Sequence, residues 1–379
     1  MSWLLSGMAF RIWHDLGFQR DLKENVLPTM EQFRSPSELR RRIYWGGYAA
    51  DKIFALYLGR PADMYDDHTD VSAAVPRPHI PVFDNFIVEH GLTHLREPIP
   101  PSPRLILTLH QLVRLSSIIH HILKRILATK YDQQSVDNAM VVSEFNARLL
   151  KFYDDLPPEM RYNKSAPATT LLTPRVAALH IIYHAARLSL NKRFIWSATQ
   201  TTAAKLSFNP REQLEAIQAC VESIDAIVAL AASFSAQYDG LSCAPLVLVH
   251  TALIAVNIVV ACSNVNCNTD STLRHTSSEL QAFGIPLYII LQEMATSWKL
   301  AAEAATRLGA LFQIKKGSAF EASHPPINGS HMAPGSWQDP SVAIASVSSS
   351  VEDNEWASFM QDFELQYGLE GFDILFPTM

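Results

Sequence analysis

Two groups of side chains in this sequence have spacings that could bind metal ions. The first is the acidic run Asp66-Asp67-His68-Thr69-Asp70. On a helix, carboxylates one and four positions apart can share a hard cation such as Mg²⁺, as in helical enzymes that act on allylic pyrophosphates. The run follows Pro61 in a turn-rich stretch, however, and no second Asn/Ser/Glu metal motif lies downstream. We therefore favour a solvated acidic loop and keep a magnesium-dependent helical enzyme as the least favoured alternative.

The second group contains side chains that could bind zinc. His180 and His184 lie four residues apart on one helical face, but Ile181 stands where a zinc protease would need Glu, and no third ligand is evident. Hydrogen-bonded histidines in a packed helix are the favoured interpretation. Cys262 and Cys267 have no partner pair to complete four zinc ligands. The sequence therefore indicates no metal site.

Other chemical motifs are missing. We find no Gly-rich phosphate loop and no Ser nucleophile elbow, and the chain has only 14 glycines. The basic run Arg40-Arg41-Arg42 is typical of a solvated or ion-paired helix end. We assign no residue to catalysis and expect a protein that is not an enzyme.

The elements that would position any site are helical. Hydrophobic residues make up 48% of the chain, and long stretches rich in Leu, Ala and Ile recur between Pro-rich breaks. This pattern predicts an all-α, multi-helix fold with a substantial core. We predict helices over residues 2–16, 40–58, 105–131, 136–156, 174–194, 210–231, 245–263 and 277–311, the last with a bend at 284–286.

Charge and composition divide the chain into three parts. Residues 1–316 form the helical regulatory domain, residues 317–350 are rich in Ser, Pro, Ala and Gly and are expected to be a disordered linker, and residues 351–379 form a short acidic amphipathic tail. Nine of the 37 acidic residues and none of the 31 basic residues follow Lys316. The helical part is therefore nearly neutral, and its charge predicts no surface for direct nucleic-acid binding.

The cysteines and the apolar segments favour a soluble intracellular protein. No secretory signal precedes Cys220, Cys243 and Cys262, which lie in apolar, helical sequence, so reduced thiols are expected. The segment 244–261 comes nearest to a membrane span, but His250, Thr251 and Asn257 interrupt it. A buried core helix is the favoured interpretation, and no membrane partner is expected.

Several stretches resemble a known family in both order and spacing. They are Arg41-Arg42-Ile43-Tyr44-Trp45, Asp51-Lys52, Leu58-Gly59-Arg60-Pro61 and the acidic run that ends in Val71. Together they resemble the signature of the fungal-specific transcription factor domain, the middle homology region of fungal binuclear zinc-cluster transcription factors. The signature residues are Arg41, Arg42, Trp45, Asp51, Gly59, Arg60, Pro61 and Asp70. The acidic run is then explained without magnesium.

The resemblance covers about residues 2–312 and has some departures. Gly46-Gly47 stands where bulkier residues are usual, Tyr153 replaces a common Trp, and Lys192-Arg193 replaces the more frequent Arg-Pro. Met1 falls just inside the early helix of the domain. The resemblance therefore implies an N-terminally incomplete domain, and the six-cysteine cluster that reads DNA is not in this sequence.

The resemblance also implies a function. Members of this family are nuclear regulators that bind DNA through the zinc cluster, while the helical domain modulates activity. For this chain we expect a nuclear location, protein partners such as a coactivator or a dimer partner, and DNA contact only through the absent cluster. Zinc is expected only there, so this chain would hold no cofactor. The alternative is a helical interaction or scaffold protein derived from such a regulator.

The C-terminal tail has the pattern of an activation segment. Its aromatic and apolar residues could fold onto a coactivator groove, with acidic residues around them. The residues that we assign to this segment are Trp356, Phe359, Met360, Phe363 and Phe372. The alternative is that the tail packs as a helix on the chain's own domain.

Overall fold

The computed structural model describes part of the chain. The described residues are 2–20, 36–59, 61–71, 105–126, 137–164, 172–199, 210–263 and 279–311. Within these ranges the protein is about 81% helical and has no strands. The prediction of an all-α fold is confirmed. The linker, the tail with Trp356, Phe359, Met360, Phe363 and Phe372, and also Arg60 and Cys267 lie outside the described residues.

Nine α-helices and two single turns of 3-10 helix have both ends within the described residues, and residues 279–282 are also helical. The α-helices are α1 (Ser2–Asp15), α2 (Pro36–Leu58), α3 (Leu105–Ile126), α4 (Asp137–Asp154), α5 (Pro174–Thr199), α6 (Pro210–Tyr238), α7 (Val247–Ser263), α8 (Gly284–Met294) and α9 (Lys299–Leu311). The 3-10 turns are Asp66–His68 and Pro158–Met160.

Local sequence explains where α4 ends and α5 begins. Pro157 and Pro158 follow α4 and cannot continue its hydrogen bonds. The side chain of Arg161 donates to the carbonyl of Leu156 at 2.8 Å and to that of Asp154 at 2.7 Å, which satisfies carbonyls at this helix end. At the next helix, the Thr173 hydroxyl accepts the Val176 N–H at 3.4 Å ahead of Pro174, as predicted.

The predicted single helix over 277–311 is wrong. The range contains α8 and α9, with a turn over residues 295–298 between them. Residues 279–282 are also helical, and a turn at Phe283 separates them from α8, beside the predicted bend at 284–286. Gly284 and Pro286 lie in the first turn of α8, where Pro lacks only an N–H that would have no helical partner. The Ser297 hydroxyl in the turn donates to the carbonyl of Ser242 at 2.8 Å, so a contact distant in sequence fixes the break.

The main core is built around α5. This helix packs against α6 and α7, and α3, α4, α8 and α9 complete the surrounding layer. The Tyr57 hydroxyl and the Thr251 hydroxyl lie 2.9 Å apart in the core and join α2 to α7. A second core cluster forms between α1, α2, α3 and the turn over 61–71. Its buried members are Phe10, Tyr44, Trp45, Tyr48, Met64, Val71 and Val113.

One helix within the described ranges is long and apolar enough to cross a membrane by length and composition. It is Arg211–Tyr238, in which an 18-residue stretch has a mean hydropathy of 1.5 and is 56% buried inside the fold. This helix is α6, which packs along α5. The core helix of a soluble protein passes the same test, so the finding is weak evidence for a span. The segment 244–261, which was expected to come nearest to a membrane span, lies mostly in the core helix α7.

Candidate functional site

The signature pair Asp51 and Lys52 forms a buried ion pair in α2. Lys52 Nζ donates to Asp51 Oδ2 at 2.7 Å. The side chain of Lys52 is 0% exposed and that of Asp51 is 5% exposed. The same carboxylate accepts the backbone N–H groups of Asp63 at 3.1 Å and Met64 at 2.9 Å. Lys52 also donates to the Met64 carbonyl. The pair therefore clamps the turn over 61–71 onto α2, and each of its charges has hydrogen-bond partners.

Aromatic rings complete the surroundings of Lys52. Its Nζ lies 4.6 Å from the centre of the Tyr48 ring and 5.7 Å from that of Tyr65. The Tyr65 ring in turn meets His120 edge-on at 5.4 Å. Burial lowers the pKa of Lys52 more than Asp51 raises it. The arrangement satisfies a buried cation, and the ammonium has no exposed surface with which to bind a ligand.

The other signature residues also have structural roles. Trp45 is buried and packs edge-on against Tyr44 and Tyr48, at 5.3 and 5.2 Å between ring centres. Gly59 follows α2 with a φ of 62°, a left-handed conformation that favours glycine at a helix end. The backbone N–H of Asp70 donates to the carbonyl of Gln19 at 3.2 Å, which joins the turn to α1.

The basic run Arg40-Arg41-Arg42 was predicted to be a solvated or ion-paired helix end, but Arg40 is half-buried against α1. Arg40 donates to the carbonyls of Gly17 at 2.7 Å and Leu16 at 3.2 Å, and its guanidinium lies 4.7 Å from the centre of the Phe18 ring. It therefore satisfies carbonyls at the C-terminal end of α1. Arg41 and Arg42 are half-buried beside it.

The acidic run forms a turn held by buried residues on both sides. Met64 and Val71 are buried, whereas His68 and Asp70 are exposed and Asp66 is half-buried. Across the described ranges, no group of three or more His, Cys, Asp and Glu side chains is placed to hold a metal ion. The run therefore connects α2 to α1 through its backbone and its buried neighbours.

The two histidines of α5 lie in the core among tyrosines. His180 Nε2 lies 2.7 Å from the Met160 carbonyl, and its ring contacts Tyr153 at 5.5 Å between ring centres. Burial lowers the pKa of His180 to about 4, and burial lowers that of His184 well below its usual value. The prediction of a hydrogen-bonded core histidine is confirmed for His180. Burial therefore favours the neutral form of both rings.

Cys220 and Cys243 are free thiols. Cys220 is buried in α6, as expected. Cys243 is exposed, and the expectation that it lies in a helix is wrong. It lies between α6 and α7, because Asp239 and Gly240 adopt positive φ angles of 60° and 115° and end α6 before it.

A polar cleft between α4, α5 and α6 was not expected from the sequence. It has a volume of about 430 Å³, a size typical of small-molecule pockets. On its wall, Asn146 and Asn191 exchange two amide hydrogen bonds of 2.9 and 3.0 Å. Arg187 donates to Glu222 at 2.7 Å. Residues from three separate helices line the cleft, so no local sequence pattern could indicate it.

Sequence comparisons relate this chain to known proteins. Residues 1–156 match the family described as the fungal specific transcription factor domain. The chain is 28% identical over 309 residues to the transcriptional regulatory protein C777.02 of Schizosaccharomyces pombe, covering 80% of this chain and 46% of that protein. It is 29% identical over 212 residues to Activatory protein CHA4 of Saccharomyces cerevisiae, covering 53% of this chain and 30% of that protein.

A further relative is the TY1 enhancer activator of Saccharomyces cerevisiae, which is 24% identical over 266 residues, covering 68% of this chain and 31% of that protein. The chain spans about half the length, or less, of these curated relatives. No solved structure matches. The family match includes the buried signature of α2 and the turn that follows it. Residues 1–156 of this chain therefore resemble the fungal specific transcription factor domain, and the chain is similar to fungal transcriptional regulators.

Proposed function

We propose that this chain is the regulatory and activation region of a fungal zinc-cluster transcription regulator. Residues 1–316 would form its regulatory domain, and residues 351–379 its activation segment. It would act in the nucleus through protein partners and without catalysis. DNA contact and zinc would belong to a six-cysteine cluster outside this sequence, so residues 1–379 would hold no cofactor.

The match of residues 1–156 to the fungal specific transcription factor domain carries this proposal. The names of the relatives describe a transcriptional regulatory protein, an activatory protein and an enhancer activator. The alignment with the first of these extends the likeness to 80% of this chain. These names support a role in transcription for the region that this chain shares with them.

The chemistry of the signature supports a structural role for these residues. Asp51 and Lys52 direct their charges at each other and at the backbone of residues 63 and 64. A catalytic pair would need access to a substrate, and both side chains are almost completely buried. We infer that the signature preserves the junction between α1, α2 and the turn, which a regulatory domain needs for its shape.

The experiment that tests the proposal tethers the whole chain to a reporter promoter through an unrelated DNA-binding domain in a fungal host. We expect reporter expression above that of the DNA-binding domain alone. The purified chain by itself should show no site-selective binding to duplex DNA in a gel shift. A silent reporter, or tight binding to one DNA site by the purified chain, would contradict the proposal.

A further inference from the structure

The cleft between α4, α5 and α6 is lined by groups that can recognise a small polar molecule. Ala216 and Ala219 line it with short, buried side chains, which leave space between the helices. Around them lie side chains that donate or accept hydrogen bonds. Those that could contact a ligand are Ser143, Asn146, Arg187, Asn191, Glu212 and Glu215. A concave site with a few convergent polar groups is the usual form of a small-molecule site.

Arg187 supplies a buried cation to the cleft. Its side chain is only 11% exposed, and Nη2 donates to the carboxylate of Glu222 at 2.7 Å. Nε of the same guanidinium is buried, and no described residue accepts its N–H. A buried donor without a partner is uncommon in a folded protein, and a bound water, ion or ligand is a frequent reason for one. Arg187 therefore has donor capacity beyond its contact with Glu222.

The amide pair of Asn146 and Asn191 is held in place and still has hydrogen-bonding capacity. Asn191 is fully buried, and its amide nitrogen donates to the oxygen of Asn146 and to the carbonyl of Arg187, at 3.0 and 2.8 Å. Asn146 donates one N–H to Asn191, and its amide carries a second N–H. Each amide oxygen also has a second acceptor position. The pair can therefore donate to one ligand atom and accept from another without moving.

The charges of the cleft favour a ligand with a single negative charge. The lining has two arginines, Arg187 and Arg211, and two glutamates, Glu212 and Glu215. Arg211 Nε donates to Glu215 at 3.0 Å, and Glu212 lies in the first turn of α6. A guanidinium binds a carboxylate through two parallel hydrogen bonds, so Arg187 can hold one carboxylate of a ligand. A second negative charge on the ligand would lie near the glutamates and be repelled by them.

We propose that this cleft binds a small monocarboxylate that carries hydroxyl groups, a molecule of the sugar-acid type. Arg187 and Asn146 hold the carboxylate. Ser143, Asn191 and Glu212 contact the hydroxyl groups, which both donate and accept hydrogen bonds as these side chains require. The site lies wholly in the helical domain. The inference therefore goes beyond the proposed function, and the reporter assay of that function does not decide it.

Saturation-transfer NMR titrations of the full chain with three related probes test the ligand class, at an ionic strength matched with sodium chloride. Gluconate carries one carboxylate on a hydroxylated chain and should bind with a dissociation constant of about 1 mM or below. Sorbitol has a hydroxyl group in place of the carboxylate and should show no saturable binding. Glucarate has a carboxylate at both ends and should bind about tenfold more weakly than gluconate. No binding of gluconate, or equal binding of sorbitol or glucarate, would overturn the proposal.

Two matched variants on α4 show whether gluconate binds in the cleft. Ser143 and Ala147 are both exposed and lie about one helical turn apart, and Ser143 lines the cleft whereas Ala147 does not. Ser143→Phe places a ring in the cleft and should abolish gluconate binding. Ala147→Phe adds the same ring outside the cleft and should leave the dissociation constant unchanged. Both positions are exposed, so the fold should survive, and equal melting temperatures would confirm it. Loss of binding in both variants, or in neither, would contradict the location.

A second pair of variants tests the role of the Arg187 guanidinium. Arg187→Lys keeps the positive charge but loses the two parallel donors, so gluconate affinity should fall about tenfold. Glu222→Gln is the matched control, because it removes the charge of the partner and leaves the guanidinium in place. Gluconate should bind this variant at least as tightly as the parent chain. Unchanged affinity in Arg187→Lys, or loss of binding in Glu222→Gln, would refute the assignment. If Arg187→Lys does not fold, the two α4 variants decide the proposal.

Discussion

The indole ring of Trp13 packs against the backbone of Gly47, so closely that a Cβ atom at position 47 would lie 1.8 Å from Cζ3 of the ring. Helix α1 approaches α2 at this glycine. The preceding residue, Gly46, has nothing within 4 Å of the place where its Cβ would lie. Two adjacent glycines, which both depart from the family pattern, therefore have different physical roles.

Alanine substitutions at the two glycines should have opposite effects. Gly47→Ala forces the Trp13 ring out of its contact and should lower the free energy of unfolding by about 1–3 kcal/mol. Gly46→Ala adds only helix propensity and should raise it by up to about 1 kcal/mol. Denaturant unfolding of both variants measures the difference. Equal stabilisation by the two substitutions would contradict the close packing of α1 on α2.

Removing one member of the buried ion pair should be strongly destabilising. Lys52→Met leaves the Asp51 carboxylate buried without its cation, and we expect a loss of about 3–5 kcal/mol in the free energy of unfolding. The matched control is Lys164→Met. Lys164 pairs with Asp225 at the surface, where both side chains are substantially exposed, so its loss should cost less than about 1 kcal/mol. Similar losses in the two variants would show that burial does not strengthen the pair.

The buried histidines make the fold sensitive to mild acid. Folding lowers the pKa values of these histidines. Below the ordinary histidine pKa of about 6.5, the unfolded chain therefore binds more protons than the folded chain. The contribution of the neutral histidines to the free energy of unfolding is therefore fully present above pH 6.5. It is lost as the pH falls toward about 4, the pKa of His180 in the folded chain. Between pH 7 and pH 5, the titration of His180 alone should lower the free energy of unfolding by roughly 2 kcal/mol.

The variant His180→Gln tests the origin of this pH dependence. Glutamine keeps an N–H that can donate to the Met160 carbonyl but does not titrate. The loss of unfolding free energy between pH 7 and pH 5 should be smaller in the variant than in the parent chain. Unfolding curves at pH 8, where the histidine is neutral in both states, measure the packing cost of the substitution separately. An unchanged slope with pH would rule out His180 as the source.

The sequence predicted the helices well and their tertiary roles less well. Apolar periodicity and Pro breaks are local signals, so the helices up to residue 263 lie close to the predicted ranges. The turn at 295–298 is fixed by a contact between Ser297 and Ser242, which no local pattern contains. The same holds for the contact of Trp13 with Gly47 and for the cleft between α4, α5 and α6.

The signature itself was recognisable in the sequence, but its physical purpose was not. The spacing of Asp51, Lys52 and Gly59 resembled the family, yet only the fold shows that the ion pair holds the backbone at Asp63 and Met64. Arg40 was expected at a solvated or ion-paired helix end and instead donates to backbone carbonyls just after α1. Charged side chains are rarely buried unless they are paired, so a sequence predicts them at the surface. Their buried partners lie far along the chain and become visible only in the fold.

The most direct test of the central claim is a reporter assay of residues 351–379 fused to an unrelated DNA-binding domain. We predict that this fusion activates the reporter and that replacing Trp356, Phe359 and Phe363 with Ala abolishes activation. Replacing Ser358 and Gln361 with Ala, within the same segment, should leave activation intact. A silent fusion, together with a lower melting temperature of the whole chain when the three aromatic residues are replaced, would show that the tail is structural and would contradict the activation function.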